Sequence, residues 1–241
     1  MAEREIQWRR PTPAAWFCLG AGLVVLLGLA AWQFDRRAWK HDLIETIQER
    51  MSGPPVVLVR RIADPPALDY RRVRVTGRFA HDKEIYLYPR FHGGHPGLHV
   101  VTPLVRRGAP PVLVNRGWIP ARNKDPRTRA AGQLPGVQTV TGVARTTFSA
   151  GRFQPRNDPA KGFWTGYDPE AMARAMGLAE ALPVIVEAER GTDPRALPIG
   201  GVTRVNFRDN HLQYALTWLA LAAALVAVFA IYHRPRPRVA S

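Results

Sequence analysis

Cysteine is almost missing from the chain. A single Cys18 in 241 residues excludes an intrachain disulfide, a thiolate metal cage, a C-x-x-C redox pair and C-x-x-C-H haem attachment. Methionine is nearly as scarce, with four in all including Met1, too few for a thioether copper carrier. Serine occurs only at Ser52, Ser149 and Ser241, so a serine hydrolase has almost no candidate nucleophile. No G-x-S-x-G, H-E-x-x-H, Walker A or G-x-G-x-x-G pattern occurs. Lysine is confined to Lys40, Lys83, Lys124 and Lys161, and the other basic side chains are arginine. With 34 Lys plus Arg against 19 Asp plus Glu, the formal charge is +15. That excess points to anionic partners: nucleic acid, lipid headgroups, phosphates or carboxylates. Apolar residues at 46% and charged ones at 22% exclude both a disordered tail and a polytopic transporter.

What is present is concentrated at the ends. Ala14 to Phe34 and Leu212 to Tyr232 are charge-free apolar runs. At 1.5 Å per residue each is long enough for a hydrocarbon core of ~30 Å. Trp16, Trp32, Tyr214, Trp218 and Tyr232 lie toward the run ends, as an aromatic belt would. A cleavable signal peptide is the alternative for the first run, which has Arg4, Arg9 and Arg10 before it. The run is longer than the usual apolar stretch of such a leader. A buried core helix is the alternative for the second, which is too uniformly apolar for that role. Two spans put both termini on one side. Basic residues flank both spans, and long loops translocate largely regardless of charge. The expected organisation is therefore a cytoplasmic tail at 1–13, a span at 14–34, an extracytoplasmic domain at 35–210, a span at 211–232 and a cytoplasmic tail at 233–241.

The middle segment carries 28 basic and 17 acidic residues. It opens with a helix: Trp39, Leu43, Ile44, Ile47 and Met51 fall near helical spacing, and Gly53-Pro54-Pro55 stops it. The first span is expected to run straight into this helix. Strands are predicted at 56–60, 70–79, 84–88, 98–106, 111–119, 138–145, 183–188 and 203–207. One short helix is predicted over 169–176, with Asp168 as N-cap, Pro169 at its first position and Gly177 as stop. The fold class is thus a membrane protein whose two transmembrane α-helices flank a mostly antiparallel β (α+β) extracytoplasmic domain.

His211 stands at the mouth of the second span. On a helix it shares a face with Tyr214, Ala215 and Trp218. An imidazole beside an aromatic-rimmed apolar slot suits an axial haem ligand, and Arg36, Arg37, Arg204 and Arg208 are placed to pair charged propionates. The plain alternative is an interfacial histidine anchoring the helix end. His92, His95 and His99 cluster in eight residues, but their spacing fits no standard zinc or copper geometry and reads as a glycine-rich loop. Glu187 with Glu189, and Asp82 with Glu84, read as solvated carboxylates at strand spacing. The Arg71-Arg72-Val73-Arg74 strand reads as a solvated face near acidic headgroups or a docking surface, not as a nucleic-acid site.

Several blocks together resemble one family, the Surfeit locus one proteins. They are Trp32-Gln33 with Arg36 and Trp39-Lys40; Gly77-Arg78-Phe79-Ala80-His81-Asp82-Lys83-Glu84-Ile85-Tyr86 with Pro89-Arg90; Val100-Val101-Thr102-Pro103; Asn115-Arg116-Gly117-Trp118-Ile119-Pro120; and Pro198-Ile199-Gly200-Gly201 leading to Asn210-His211-Leu212-Gln213-Tyr214 and Thr217-Trp218. The blocks keep their order and cover nearly all of 30–220. The resemblance implies a non-enzymatic assembly factor for cytochrome c oxidase, with haem a as transient cargo delivered to the large catalytic subunit. It implies His211 as axial ligand, and with that ligand the helix face and flanking charges give Tyr214 and Trp218 as expected pocket walls and Arg36, Arg37 and Arg208 as expected propionate partners. The implied partners are the oxidase large subunit, the haem a synthesis machinery and membrane lipid, without nucleic acid, and self-association is left open. The implied location is a bacterial plasma (inner) membrane, with the domain on the periplasmic side. Gly77 looks like a position that requires glycine. Two departures stand out: Ala80 replaces a frequent Asp, and Leu219-Ala220 replaces an aromatic-Gly pair. The competing expectation is a haem-free scaffold for an oxidase intermediate, docking through Asn115-Arg116-Gly117-Trp118 and the arginine-rich strand. A membrane-anchored enzyme of the cell envelope is the weakest reading, since no nucleophile–base pair or metal triad is visible.

Overall fold

The computed structural model describes residues 6–7, 10–147, 155–193, 196–203, 209–234 and 236–237. Arg4, Arg9, Arg204, Arg208 and Arg238, and the strand expected at 203–207 beyond Thr203, lie outside the described residues. In chain order the elements are β1 (Ile6–Gln7), α1 (Pro13–Ser52), β2 (Val56–Val57), β3 (Arg72–Phe79), β4 (Ile85–His92), β5 (His95–Arg106), β6 (Ala109–Pro120), β7 (Val137–Arg145), α2 (Pro169–Ala175), β8 (Ile185–Ala188), α3 (His211–His233) and β9 (Arg236–Pro237). They fall into two units, Met1–Thr46 with Asn206–Ser241 and Ile47–Val205.

The first unit is a helix pair. Thr12 caps α1 by accepting from the Ala15 N–H at 3.2 Å, and Pro13 occupies the first helical position, where its missing N–H costs nothing. No break separates the apolar run from the amphipathic stretch after it, so α1 is one helix of 40 residues. It ends where Gly53-Pro54-Pro55 cannot continue the ladder. Both helices are long and apolar enough to cross a membrane. Their outer faces are exposed, with Phe17 at 76% and Val228 at 64%, which a soluble core helix would not tolerate. They meet along a seam. On α3 the inward positions are His211, Ala215, Trp218, Ala222, Leu225, Phe229 and His233, a spacing close to the ~3.6 residues of one α-helical turn. Ala30, Ala215 and Ala222 are buried there, Gly22 lies where a Cβ would meet the Leu225 side chain at 2.9 Å, and Trp16 packs on Phe229 at 4.9 Å between ring centroids. Small residues let the backbones approach without a hydrophobic drive from water. Leu219 and Ala220, at the expected aromatic-Gly position, point away from this seam.

The second unit is a seven-stranded sheet in the order β2-β3-β7-β8-β6-β5-β4. A further pairing of Arg78 with Val105 and Phe79 with Leu104 joins β3 to β5, closing five strands into a barrel. Two ladders are parallel, β2–β3 and β6–β8, and the rest are antiparallel. β3 alternates strictly, with Val73, Val75, Gly77 and Phe79 buried between exposed Arg74, Thr76 and Arg78, so one face fills the barrel with Leu104, Val112, Val114 and Val186. Residues 97–104 of β5 and 112–119 of β6 are buried throughout, because their outer faces are covered too. Part of that cover is α2, whose Met172 packs with Trp164, Tyr167, Leu87, Val101, Leu113 and Ile185, while Tyr86, Tyr88 and Leu197 pack against Leu98, Val100 and Ile119. Asp168 caps α2, accepting from the Ala171 N–H at 2.9 Å.

The strand expected at 84–88 is longer. β4 runs on through Pro89 over a bulge between Leu87 and Arg90, and turns into β5 at Gly93 and Gly94, whose φ of 56° and 82° make a tight primed hairpin turn. The strand expected at 56–60 shortens to Val56–Val57. Gly77 needs its missing Cβ for space rather than for φ. A Cβ there would lie 2.5 Å from the Val105 carbonyl oxygen and 2.9 Å from the Leu104 side chain, at the seam that closes the barrel. Gly77→Ala is expected to destabilise the domain by about 1–3 kcal/mol through overpacking, read as a lowered urea midpoint. An unchanged midpoint would show that β3 and β5 separate freely.

Candidate functional site

Polar side chains gather at one end of the helix pair. His211 opens α3, and its backbone N–H donates to the Asp209 carboxylate at 3.0 Å. The His211 ring lies in the seam, with Nδ1 2.7 Å from Gln33 Oε1. Gln33 is itself only 9% exposed. A carbonyl oxygen can only accept, so Nδ1 carries a proton, and in the neutral ring Nε2 keeps its lone pair. His41 Nε2 sits 3.0 Å from Asp209 Oδ2, and Arg37 Nε lies 3.8 Å from the same oxygen. The His211 backbone N–H, and then the His41 ring, hold the Asp209 carboxyl below the usual carboxylate range. Gln33, Arg37 and His41 recur every fourth residue, so one stripe of α1 meets the start of α3.

The structure separates the residues expected around His211. Trp218 shares the seam with His211, and its indole N–H is buried without an acceptor among the described residues. Tyr214 faces outward at 53% exposure, so the expected common face divides: the seam takes one flank of it and the outer surface the other. Arg36 stacks its guanidinium over the Trp39 ring at 3.9 Å, while Arg37 is directed to Asp209. Arg208 lies outside the described residues. Sequence reasoning gave Gln33, His41 and Asp209 no role in this site. The signal was a lone amide at the end of an otherwise apolar run.

In the β domain the histidines do not converge. His92 stacks on Trp118 at 5.3 Å between ring centroids, His95 is exposed, and His99 Nδ1 is 3.0 Å from the Asn115 amide in the interior. Two carboxylates read as solvated are buried. Glu84 forms an ion pair with Arg129 at side-chain exposures of 5% and 0%, and also accepts from the Tyr86 hydroxyl at 2.6 Å. Glu187, 8% exposed, accepts from the Tyr167 hydroxyl at 2.6 Å, and Tyr167 in turn accepts from the Asn115 amide at 2.6 Å. Burial and then Glu187 push the Tyr167 phenol well above its ordinary range. The proposed docking segment is interior as well: Asn115, Arg116 and Trp118 are 1%, 7% and 6% exposed. Long-range pairing of β6 with β8 and β5 buries them, which local spacing does not reveal. Arg71 and Arg74 are exposed as expected, whereas Arg72 binds Glu189 at 2.6 Å.

His81 bridges a backbone carbonyl and the Arg116 side chain. Its Nε2 lies 3.1 Å from the Leu134 carbonyl oxygen, and its Nδ1 lies 3.3 Å from an Arg116 nitrogen. A neutral ring satisfies both, donating at Nε2 and accepting at Nδ1. Burial, and then the Arg116 charge, hold its pKa below 6.5 despite the Leu134 carbonyl. The unfolded ring therefore takes a proton first as pH falls. The stability that neutral His81 contributes is full above 6.5 and is lost as pH drops through the lowered folded value. An NMR titration should place the His81 midpoint below 6.5; a midpoint at or above it would contradict this environment.

The fold and the polar cluster define a class: a β-barrel domain encoded between two long apolar helices, with a histidine held at the head of the second. A sequence model of the SURF1 family matches residues 21–223. Surfeit locus protein 1 of Homo sapiens is 38% identical over 218 residues, covering 83% of this chain and 71% of its own. The Takifugu rubripes protein of that name is 37% identical over 82% of this chain and 88% of its own, and that of Xenopus tropicalis is 36% identical over 83% and 70%. The chain belongs to the SURF1 family.

Proposed function

We propose that the protein is a membrane-bound, non-enzymatic assembly factor for cytochrome c oxidase, and that it carries haem a to the large catalytic subunit and assists its insertion. The observation that carries this reading is the Gln33–His211 contact at 2.7 Å. It orients the ring and leaves Nε2 as the ligating nitrogen, the arrangement in which an outer partner fixes an axial histidine. Trp218 adds a buried donor without an acceptor among the described residues, suited to a polar atom on the cargo's edge. Tyr214 offers an exposed ring one turn on, and Arg36 supplies a charge that stacks on Trp39 rather than on a carboxylate. One ligand and few polar contacts suit a carrier that must release its load.

The membrane reading rests on the two exposed apolar helices and their small-residue seam. We place both tails in the cytoplasm and the domain on the periplasmic side of a bacterial plasma membrane. Protease added to spheroplasts should then cut the domain and spare the tails; the reverse pattern overturns this topology. The carrier reading is tested by purifying the full chain in detergent from a host that makes haem a. A reduced haem a absorption band is expected. A haem-free chain that still binds the oxidase large subunit would overturn it in favour of a scaffold, docking through surfaces other than the buried Asn115–Trp118 segment.

A further inference from the structure

The β domain contains a cavity of about 390 Å³. Phe79, Leu134 and Val140 are among its apolar walls, and Ala131, Thr139 and Arg190 are exposed along it, so it opens to solvent. Arg116 supplies a charge at its wall and is 7% exposed. The guanidinium donates to the Gly132 carbonyl, meets His81 Nδ1 at 3.3 Å and lies 4.9 Å from the Phe79 ring centre. None of these partners is an anion. The carboxylate whose field it feels is Glu84, which Arg129 and Tyr86 already engage. Two buried arginines thus share one carboxylate. Glu189 also lines the cavity, but Arg72 holds it with two bonds of 2.6 and 3.0 Å. Among the described residues the cavity's unmatched charge is therefore positive.

A buried guanidinium without a counter-ion is costly. Burial pushes the Arg116 pKa down to about 10, so it remains cationic at neutral pH and bears that cost. Of its five N–H donors, the hydrogen bonds described use two. The unused Arg116 donors beside apolar walls are the usual make-up of a small-ligand site, and the volume lies near the lower end of such sites. It suits a ligand of amino-acid or short-acyl size.

We propose that this cavity binds a carboxylate on a compact apolar stem, with Arg116 pairing the carboxylate and the Phe79–Leu134–Val140 wall covering the stem. The carboxylate comes either from a free organic acid or from the C terminus of a partner chain. Calorimetry on the full chain in nanodiscs distinguishes them, using 3-phenylpropanoate, its neutral alcohol, and a short acetylated peptide ending in phenylalanine with a free or an amidated C terminus. Saturable one-to-one binding of at least one carboxylate is expected, tenfold or more tighter than its neutral counterpart. Preference for the free acid or for the peptide assigns the source. Ala131→Trp, at the exposed rim, should abolish binding without altering the far-ultraviolet circular dichroism or the urea midpoint, and Arg116→Gln should weaken it at least tenfold. The proposal fails if no carboxylate binds, if the neutral forms bind equally, or if binding survives Ala131→Trp. It is independent of the haem reading: a chain that carries haem yet binds no carboxylate overturns only this site.

Discussion

Glu84→Ala is expected to destabilise the β domain by about 3–5 kcal/mol, the usual cost of stranding one member of a buried ion pair. Arg129 would be the stranded member, at 0% side-chain exposure. Its other bonds go to the carbonyls of Asn123 and Lys124 and to the Tyr86 hydroxyl, at 3.0, 3.3 and 3.2 Å, none of which carries a balancing charge. Arg116, nearby and also cationic, would then lose the one carboxylate field that supports it. The expected readout is a lowered urea midpoint with an unchanged slope. The paired variant Glu84→Leu with Arg129→Met should recover most of the loss, since removing both charges also removes the desolvation penalty. A Glu84→Ala variant within 1 kcal/mol of the parent would mean that water reaches Arg129 and that the pair is not truly interior.

The legible parts of this molecule were those set by local rules. Run length and the Gly53-Pro54-Pro55 stop define α1, period two defines β3, and Asp168-Pro169 with Gly177 bounds α2; each depends on neighbours within a few residues. What escaped depends on distant partners. Glu84 and Glu187 sit at strand spacing that usually means solvent, and only Arg129 and Tyr167, brought in by the fold, make them interior. The β3–β5 closure explains Gly77 only once Val105 is placed opposite it. The hairpin through Pro89 was hidden because proline normally ends a strand, and a bulge is what lets it stay. At the candidate site, His211 was legible as a ligand-type residue at a helix head. Its tautomer was not, because Gln33 lies 178 positions away in sequence. Tyr214 and Trp218 flank one helical face, and only the position of α1 decides which of them enters the seam.

His211→Ala is expected to remove the haem a band entirely from the purified chain, because the other imidazole of the cluster, His41, is engaged by Asp209. Its bonds run to Gln33 and Asp209, so the variant keeps its backbone cap at Asp209 and should still insert and purify. Gln33→Leu separates ligation from orientation. It leaves Nε2 able to bind iron but frees Nδ1 of the acceptor that fixes the ring, and losing such an outer partner typically weakens binding by about 10–100-fold. Haem should therefore return at high concentration in Gln33→Leu and not in His211→Ala. Gln33→Glu retains an acceptor at Nδ1 and should restore affinity, a pattern that loss of helix packing alone would not produce. Stoichiometric haem in His211→Ala would sink the ligand assignment and return His211 to the role of a helix-end anchor, with the Gln33 bond serving only to register α3 against α1.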